Sequence, residues 1–328
     1  MNVHAGIGPD HAGMGLEWNY PALLVGNVPV TALVLAGSRG GVDPVADAEG
    51  VTHKALVRVG AATMLERVMA ALREAGVQRV LVSADAPAAI ALAHAAGAEV
   101  IPPGAGPSES VARAMEVAGA PLLVTTADHA LLSPDWVRDF VEATPCNADV
   151  AIMLARQQDV EEAVPHNKRT WLRFADGAWS GCNLFLLATS RASLAVDQWR
   201  LVERERKRPW RLAARLGLTT FFEYLAGRLA LADAIGRVGG RMGVTAALVP
   251  ASHGLAAVDV DKVEDLALVR AIVAGETARG IAADLSLPEL LVTPFVEGRG
   301  GQGALLLRRL GGTAASGMKR LFSVRRSV

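Results

Sequence analysis

Small and charged residues follow an apolar run near the start of the chain, where residues 31–41 read T-A-L-V-L-A-G-S-R-G-G. The valine and leucine residues favour a buried strand. Gly37, Gly40 and Gly41 let the backbone that follows turn sharply and approach a ligand. Backbone N–H groups in such a loop bind anions, and the forked guanidinium of Arg39 suits phosphate oxygens. The segment therefore predicts a triphosphate-binding loop, with an ordinary strand-to-turn junction as the alternative.

A second motif follows this loop at residues 53–68, which read H-K-A-L-V-R-V-G-A-A-T-M-L-E-R-V. Together the two segments resemble the first module of the MobA-like nucleotidyltransferases. Those enzymes begin with an L-A-G-x-x-x-R/G loop and continue with a P-K-x-L-x-x-x-G-x-x-M-L segment. Lys54 occupies the lysine position, whereas His53 replaces the usual proline and Ser38 stands where many relatives carry glycine. The resemblance covers residues 29–275 and is strongest in the amino-terminal half.

The resemblance implies a reaction and a set of residues that bind the nucleotide. The reaction moves a nucleoside monophosphate group from CTP or GTP to a phosphorylated small molecule and releases pyrophosphate. Lys54 then meets the triphosphate as a point charge and Arg39 grips it with its fork. A later segment, G-P-S-E-S-V, resembles the G-x-x-x-S-V segment that precedes a helix in the family, although helix capping alone explains one of its serines. The predicted nucleotide-binding residues are Leu35, Ala36, Gly37, Ser38, Arg39, Gly40, Lys54, Ser108 and Ser110.

A cation must offset the repulsion between an anionic nucleophile and a triphosphate, and the expected cofactor is Mg²⁺. Asp128 in T-T-A-D-H-A-L-L matches the aspartate that binds magnesium in the family, although Ala130 replaces a proline. It joins Arg39 and Lys54 as a predicted catalytic residue. The segment V-D-V-D-K-V-E-D-L resembles the family's I-D-x-N/D-T-P-E-D-L, in which Asp261 matches the second metal ligand better than Asp259 does. The alternative for Asp261 is a helix N-cap with Glu264 reaching back.

The acceptor pocket is expected where the family builds it, in two segments that read R-T-W-L-R-F and S-G-C-N-L-F. Arg169 and Arg173 are candidates for holding a phosphate monoester, and Asn183 for holding a hydroxyl. A half-buried hairpin explains the aromatic residues of these segments without any ligand. The basic run over residues 203–211 is more typical of a solvated helix face than of a binding site.

Apolar runs alternate with helical patterns along the first half of the chain, which predicts an α/β fold. We expect a Rossmann-like, mostly parallel sheet flanked by helices, of the nucleotidyltransferase or GT-A type, with ligands beyond the carboxyl ends of the strands. The expected strands are residues 31–36, 78–83, 98–101, 121–126, 149–155, 172–174, 183–187, 243–249 and 256–260. The expected helices of the first half are residues 64–75, 87–96, 108–117 and a helix that ends at residue 141. Thr63 and Glu66 form a capping-box pattern at the first, and Ser133 and Pro134 supply a cap and a first-position proline at the last.

The predicted domain organisation has three parts. Residues 1–28 are an amino-terminal extension, residues 29–297 are the catalytic domain with a basic helical insertion at about 190–231, and residues 298–328 are a tail. That tail carries seven basic residues, no acidic residue and interleaved apolar residues. Such a segment suits peripheral contact with an anionic membrane, while a tail that binds nothing is the alternative.

Composition restricts the remaining function classes. The 328 residues carry a formal net charge of zero, which argues against nucleic-acid binding as the main task. The fraction of hydrophobic residues is 51%, which provides a sizeable core. Cys146 and Cys182 have no metal-type spacing and suggest a reducing compartment, so we expect a cytoplasmic protein. No apolar run reaches the length of a membrane-spanning helix.

Two rival functions remain at this stage. A GT-A type glycosyltransferase would hold a nucleotide sugar through a D-x-D pair, which Asp259 and Asp261 spell. A nucleotide-binding protein without turnover is the other rival, because His53 and Ala130 replace family prolines. A dinucleotide oxidoreductase is not expected, since no G-x-G-x-x-G follows the first strand.

Overall fold

The structure, a computed structural model, describes residues 24–25, 28–29, 31–38, 40–165, 169–204 and 218–275. Eight strands form the central sheet, in the order β12-β9-β11-β8-β3-β6-β7, with β10 paired to β11. The strands are β1 (Leu24–Val25), β2 (Val28–Pro29), β3 (Thr31–Ala36), β4 (Arg58–Val59), β5 (Ala62–Thr63), β6 (Arg79–Ala84), β7 (Glu99–Ile101), β8 (Leu122–Thr126), β9 (Val150–Arg156), β10 (Leu172–Phe174), β11 (Gly177–Leu187) and β12 (Ala246–Pro250).

Within this sheet β11 runs antiparallel to β8 and β9, while the neighbouring pairs β3–β6, β3–β8, β6–β7 and β12–β9 are parallel. The carboxyl ends of β3, β6, β8 and β9 therefore lie along one edge of the sheet. The expected α/β fold with a mostly parallel sheet is confirmed.

Helices cover both faces of the sheet. They are α1 (Pro44–Ala48), α2 (Met64–Glu74), α3 (Pro87–Ala95), α4 (Pro107–Ala118), α5 (Pro134–Ala143), α6 (Gln157–Ala163), α7 (Ala192–Arg204), α8 (Leu218–Leu225), α9 (Leu231–Met242) and α10 (Val263–Val273), with 3₁₀ helices at Lys54–Leu56 and Gly254–Ala257. None of the described helices is long and apolar enough to cross a bilayer.

Alternation along β3 explains why helices pack on both sides. Ala32 and Val34 point into one core with the buried side chains of α2, whereas Leu33 points into the other core with α4 and α7. Successive side chains of a strand face opposite ways, so an almost continuous apolar run buries both faces. Burying one leucine such as Leu33 stabilises the fold by about 1.5–3 kcal/mol.

Two predicted helix starts are confirmed. Thr63 Oγ1 accepts from the Glu66 N–H at 3.2 Å, and Glu66 Oε2 accepts from the Thr63 N–H at 2.7 Å, which completes a capping box at α2. At α5, Ser133 Oγ accepts from the Asp135 N–H at 3.3 Å. Pro134 occupies the first helical position, where its missing N–H costs nothing.

The predicted strand at residues 256–260 is wrong. The 3₁₀ helix Gly254–Ala257 begins there, with His253 Nδ1 accepting from the Leu255 N–H at 3.1 Å. Val258 and Val260 are buried against a third apolar cluster rather than paired in the sheet. Their apolar alternation therefore reflects burial of one face of an extended segment without strand partners.

The predicted capping of α10 by Asp261 and Glu264 is also wrong, by one residue. The N-cap is Lys262, and Asp265 Oδ2 accepts from the backbone N–H groups of Asp261 at 3.1 Å and Lys262 at 3.0 Å. A lysine ammonium cannot accept a hydrogen bond, so the carboxylate satisfies these donors alone.

The region predicted as one helical insertion, residues 190–231, contains α7 and α8, and α9 begins at its end. Residues 205–217, which include most of the basic run, lie outside the described residues. So do nearly all of the predicted extension 1–28 and the whole of the predicted tail 298–328. Strand β11 begins at Gly177, six residues before the expected start, and β12 begins at Ala246 rather than residue 243.

Candidate active site

The loop after β3 contacts loops from two neighbouring strands. Ser38 donates from its backbone N–H at 3.1 Å and from its hydroxyl at 2.9 Å to Oδ1 of Asp85, which follows β6. Burial raises the pKa of Asp85, but the hydrogen bonds from Ser38 outweigh it and hold the pKa below its ordinary value. A Cβ atom on Gly37 would lie 3.2 Å from Cβ of Pro103, in the loop after β7. Glycine therefore allows these two loops to meet.

The other predicted residues of this segment lie at the end of β3 and in the loop that follows it. Leu35 and Ala36 end β3 and pair with β6. Gly40 is exposed and adopts a φ of 73°, a conformation that glycine takes without strain. The predicted phosphate-binding residue Arg39 lies outside the described residues.

Lys54 lies in the 3₁₀ helix that follows this loop and α1. His53 Nδ1 caps that helix by accepting from the Ala55 N–H at 3.1 Å, which gives the histidine at the family's proline position a structural role. Lys54 Nζ is 2.7 Å from Asp128 Oδ2 and 3.7 Å from Asp261 Oδ1. It also donates to the Val260 carbonyl oxygen at 3.0 Å. The structure thus brings the predicted lysine and both predicted metal ligands together.

Nearby carboxylates keep Lys54 charged. Burial lowers the pKa of Lys54, but the charge of Asp128 and its hydrogen bond, and then the charge of Asp261, raise the pKa above its ordinary value. Lys54 is therefore an ammonium ion at neutral pH. Its side chain is only 18% exposed, so the two carboxylates act on it through little water.

Backbone hydrogen bonds explain how Asp128 and Asp261 meet across the chain. The Val260 N–H donates to the carbonyl oxygen of Asp128 at 3.1 Å, which fixes the segment before α10 against the end of β8. The Ala127 N–H donates to the carbonyl oxygen of Leu35 at 3.0 Å and ties the same turn to β3. The carboxylates are therefore placed by main-chain contacts and not only by their attraction to Lys54.

The alternative metal ligand, Asp259, belongs to a neighbouring cluster. It accepts hydrogen bonds from Arg169 Nη2 and, at 3.1 Å, from Asn183 Nδ2. Asn183 lies in the irregular part of β11 between Gly181 and Phe185, with a φ of 51°. A β-bulge re-aims side chains, and asparagine tolerates this left-handed conformation, so the bulge directs Asn183 to Asp259.

The acceptor residues predicted from the sequence are thus only partly brought together. Arg169 and Asn183 meet at Asp259, whereas Arg173 is exposed on β10 and has no ion pair with this cluster in the described part of the chain. The Arg169 side chain is 5% exposed, and its Nη1 has no hydrogen-bond partner among the described residues.

Behind Asp128 the loop is held by ring stacking of the buried His129 and by a hydrogen bond to Ala130. Burial lowers the pKa of His129 to about 4 although the charge of Asp128 opposes the shift, so this imidazole is neutral at pH 7. Its ring stacks on Trp136 of α5, which stacks in turn on His253. The carbonyl of Ala130, which replaces a family proline, accepts from Arg67 Nε at 2.9 Å.

The two serines predicted to contact the nucleotide are buried and have partners in the protein. Ser108 donates its hydroxyl to Glu203 of α7. Ser110 Oγ accepts from the Gly104 N–H at 2.9 Å and bonds the Gly106 carbonyl at 3.2 Å. The N-cap of α4 is Gly106, so neither serine caps the helix.

Three groups of this region were not predicted as site residues: Asp85, Glu203 and the carbonyl of Val260. The sequence does place Asp85 after a predicted strand, beyond the carboxyl ends of the strands with Gly37 and Asp128, but it assigns no role to this residue. Glu203 gave no signal, because it is 95 residues from Ser108 and lies in a run of alternating charges.

The residues at Lys54 fit a magnesium ion. No group of three or more His, Cys, Asp or Glu side chains within the described ranges is arranged to hold a metal. The two carboxylates and the carbonyl around Lys54 are nevertheless the hard oxygen donors that Mg²⁺ prefers. Such a site is completed by substrate phosphates and water, since Mg²⁺ seldom takes all its ligands from protein.

A cavity of about 260 Å³ lies elsewhere, between the end of β9 and the start of β11. Arg156, Glu161 and Asp176 are among the residues that line it, and none of the predicted site residues does. We therefore place the candidate site at Lys54 and not in this cavity.

Comparisons with known proteins identify the family of the chain. The family model of the MobA-like NTP transferase domain matches residues 32–207. A hypothetical transferase from Thermus thermophilus is 32% identical with a TM-score of 0.62, and the match covers 72% of this chain and 98% of that one. Among curated proteins none matches the chain.

Two further solved structures are more distant. A nucleotidyl transferase from Methanothermobacter is 18% identical with a TM-score of 0.45, over 75% of this chain and 97% of that one. CMP:2-keto-3-deoxy-manno-octonic acid synthetase, in complex with CTP, is 17% identical with a TM-score of 0.46, over 75% and 99% of the two chains. Because the family model matches more than half of this chain, the chain belongs to the MobA-like NTP transferases and is a nucleotidyltransferase.

Proposed function

We propose that the enzyme uses Mg²⁺ to transfer a nucleoside monophosphate group from CTP or GTP to a phosphorylated small molecule, with release of pyrophosphate. The observation that carries this proposal is the position of Lys54 between Asp128 and Asp261. Lysine, two carboxylates and the Gly37 loop at one edge of a parallel sheet suit the binding of a metal–triphosphate complex.

In the proposed reaction, an anionic phosphate oxygen of the acceptor attacks the α-phosphorus. The bond from that phosphorus to the bridging oxygen breaks, and pyrophosphate leaves with the electron pair. The loop N–H groups with Arg39 and Lys54 hold the triphosphate, while Asp128 and Asp261 hold the metal. When bound, the metal would neutralise part of the negative charge on the phosphates. No general base is needed because the attacking oxygen is already deprotonated, so positioning and electrostatics do the catalysis.

The acceptor is proposed to bind beside Asp259. Support comes from Arg169, whose buried guanidinium keeps Nη1 without a hydrogen-bond partner among the described residues. A buried donor of this kind favours an anionic ligand. Asn183 is proposed to contact a hydroxyl of the acceptor. For Arg173, exposure on β10 is the only support.

The nucleoside is proposed to lie near the amino terminus of α4, where Ser108 and Ser110 are found. Support comes from Gly37, because its contact with Pro103 sets the triphosphate loop beside the segment that leads into α4. The glycosyltransferase alternative is disfavoured by the partners of its D-x-D pair. Asp259 faces Arg169 and Asn183, whereas Asp261 lies near Lys54, so the two carboxylates have different neighbours among the described residues.

A pyrophosphate-release assay tests the proposed function. The protein is incubated with Mg²⁺, each of the four nucleoside triphosphates, and sugar, polyol or lipid-headgroup phosphates. We expect release with CTP or GTP and one class of acceptor. Asp128→Ala should lose metal affinity and most of the rate, because the metal's several kcal/mol of charge stabilisation goes with it.

The matched control is Asp197→Ala, which removes a carboxylate that is 62% exposed on α7. It should turn over like the wild-type enzyme, and circular dichroism should show both variants folded. Unchanged turnover of Asp128→Ala at saturating magnesium would refute the role given to this aspartate.

A separate proposal concerns location. We propose a cytoplasmic enzyme whose tail, residues 298–328, contacts anionic membrane surfaces. Its seven basic residues support this, since each cation near anionic headgroups adds about 1 kcal/mol. Deleting the tail, or raising the salt concentration, should lower co-sedimentation with liposomes that contain anionic lipid. Equal sedimentation of the full-length and truncated proteins would exclude the membrane contact.

A further inference from the structure

Lys54 Nζ lies among three oxygens that come from two segments of the chain. It is 2.7 Å from Asp128 Oδ2, 3.0 Å from the Val260 carbonyl oxygen and 3.7 Å from Asp261 Oδ1. Its side chain is 18% exposed, and the side chains of Asp128 and Asp261 are 12% and 21% exposed. A cation is thus already held at the point on which these oxygens converge.

These oxygens are also the donors that a magnesium ion would use. Carboxylate and carbonyl oxygens suit Mg²⁺ and an ammonium group alike, but the ion requires ligand distances of about 2.0–2.1 Å. The Lys54 ammonium nitrogen, 2.7 Å from Asp128 Oδ2 and 3.0 Å from the Val260 carbonyl oxygen, occupies the space between these oxygens, and it would repel a second positive charge there. The metal and Lys54 therefore compete for one position.

The neighbouring charges do not remove this competition. Asp259 is compensated by Arg169 and also accepts from Asn183, so it belongs to a separate cluster. Lys54 is the cation that contacts both Asp128 and Asp261 in the described part of the chain. The charge of Lys54 offsets part of the repulsion between these two partly buried carboxylates, so its removal favours the binding of a divalent cation there.

We propose that Lys54 is an internal counter-ion that keeps the metal site closed until a metal–triphosphate complex binds. The triphosphate offers Lys54 a new anionic partner, so Lys54 moves from the carboxylates onto phosphate oxygens as the metal takes its place. The Val260 carbonyl thereby becomes a third ligand beside Asp128 and Asp261. Metal capture then depends on the nucleotide. This inference rests on the proposed function, because it assigns the same site to a metal–triphosphate complex.

Mn²⁺ binding without nucleotide tests this exchange, in which the metal ion replaces the Lys54 ammonium between the carboxylates. The concentration of unbound Mn²⁺ is measured by electron paramagnetic resonance during titration of the full-length protein. Lys54→Met should bind Mn²⁺ roughly ten- to hundredfold more tightly than the wild type, the factor expected for removing one charged hydrogen bond. Lys54→Gln, which keeps a donor but removes the charge, should also bind more tightly and provides a second test if Lys54→Met does not fold.

The matched control is Lys262→Met, the same substitution at an exposed lysine next to Asp261. It removes one positive charge from the region but not from the contact with Asp128, so its Mn²⁺ affinity should stay near that of the wild type. Equal Mn²⁺ affinity of the wild type and both Lys54 variants would overturn the inference. An equal gain in Mn²⁺ affinity in Lys262→Met would also overturn it, because the effect would then come from net charge alone.

The exchange and the proposed function fail in different ways. Unchanged Mn²⁺ affinity in the Lys54 variants, together with nucleotide-dependent pyrophosphate release, refutes the exchange and leaves the transferase activity. Tighter Mn²⁺ binding in the Lys54 variants, with no pyrophosphate release from any triphosphate and acceptor, supports the exchange and refutes the proposed reaction.

Discussion

Removal of the Asp259 carboxylate should destabilise the protein strongly. This carboxylate accepts from Arg169 and Asn183, and it is the ion-pair partner of a guanidinium whose side chain is only 5% exposed. In Asp259→Ala, the Arg169 charge stays buried beside an alanine. Nη1 of that guanidinium already has no hydrogen-bond partner among the described residues, so few groups there can offset the Arg169 charge.

The size of the loss follows from burial. Breaking a buried ion pair by removing one partner costs about 3–5 kcal/mol, because a charge remains without compensation. The exposed pair between Arg79 and Glu99 has an N–O distance of 2.7 Å, but its side chains are 36% and 57% exposed. Glu99→Ala should therefore cost less than about 1 kcal/mol. The loss of unfolding free energy in Asp259→Ala should thus be several times the loss in Glu99→Ala.

Urea unfolding followed by tryptophan fluorescence at neutral pH measures both losses. Arg169→Met is then combined with Asp259→Ala to complete a double-mutant cycle. The double variant should be more stable than Asp259→Ala alone, because it leaves no buried charge. The coupling free energy should exceed about 1 kcal/mol, within the range found for residues in contact.

Additive losses would refute this reasoning. If the double variant equals the sum of the single variants within about 0.5 kcal/mol, the two side chains do not interact in solution. An Asp259→Ala loss no larger than that of Glu99→Ala would show that water reaches the guanidinium.

Three further substitutions, each followed by urea unfolding, test the packing and helix capping of the fold. Gly254→Ala should lose about 3 kcal/mol or more, because its Cβ would lie 1.9 Å from the carbonyl oxygen of Asp159, whereas Gly236→Ala, with open space in α9, should gain about 0.5–1 kcal/mol. Hydrogen bonds from Thr63 hold the pKa of Glu66 below its ordinary value, so the capping box stabilises above about pH 4.5 and weakens as the pH falls through the lowered pKa. Glu66→Ala should cost about 1 kcal/mol at pH 7 and less in acid; equal stability at pH 7 would contradict the box.

Local patterns explain which parts of the fold could be predicted from the sequence. The cap at Thr63 and the apolar run of β3 depend on residues a few positions apart, and both were predicted correctly. The meeting of Lys54 with Asp128 and Asp261 was implied by motifs of a known family and not by any local pattern. Its distances are set by the backbone bond from Val260 to Asp128, which the sequence does not reveal.

The failures have non-local causes. Residues 256–260 match a strand pattern because Val258 and Val260 are buried, but they pair with none of the strands in the described part of the chain. The bulge at Asn183 depends on pairing of β11 with two other strands. The contact of Ser108 with Glu203 depends on the packing of α4 against α7. Each of these features is decided by residues that are distant in the sequence. Neither hydrophobic periodicity nor helix-capping rules could therefore predict it.

The contacts of Val260 with Lys54 and Asp128 also set when the candidate site can form during synthesis of the chain. Lys54 precedes Val260 by 206 residues, and Asp128 likewise emerges from the ribosome long before it. At about 5–20 residues per second, Lys54 exists for on the order of 10–40 s before the segment that carries Asp261 is made. A nascent chain therefore carries the loop after β3 and Asp128 before it carries Asp261. The candidate site is assembled only after most of the domain has been translated, so under the proposed function an unfinished chain would not turn over triphosphate.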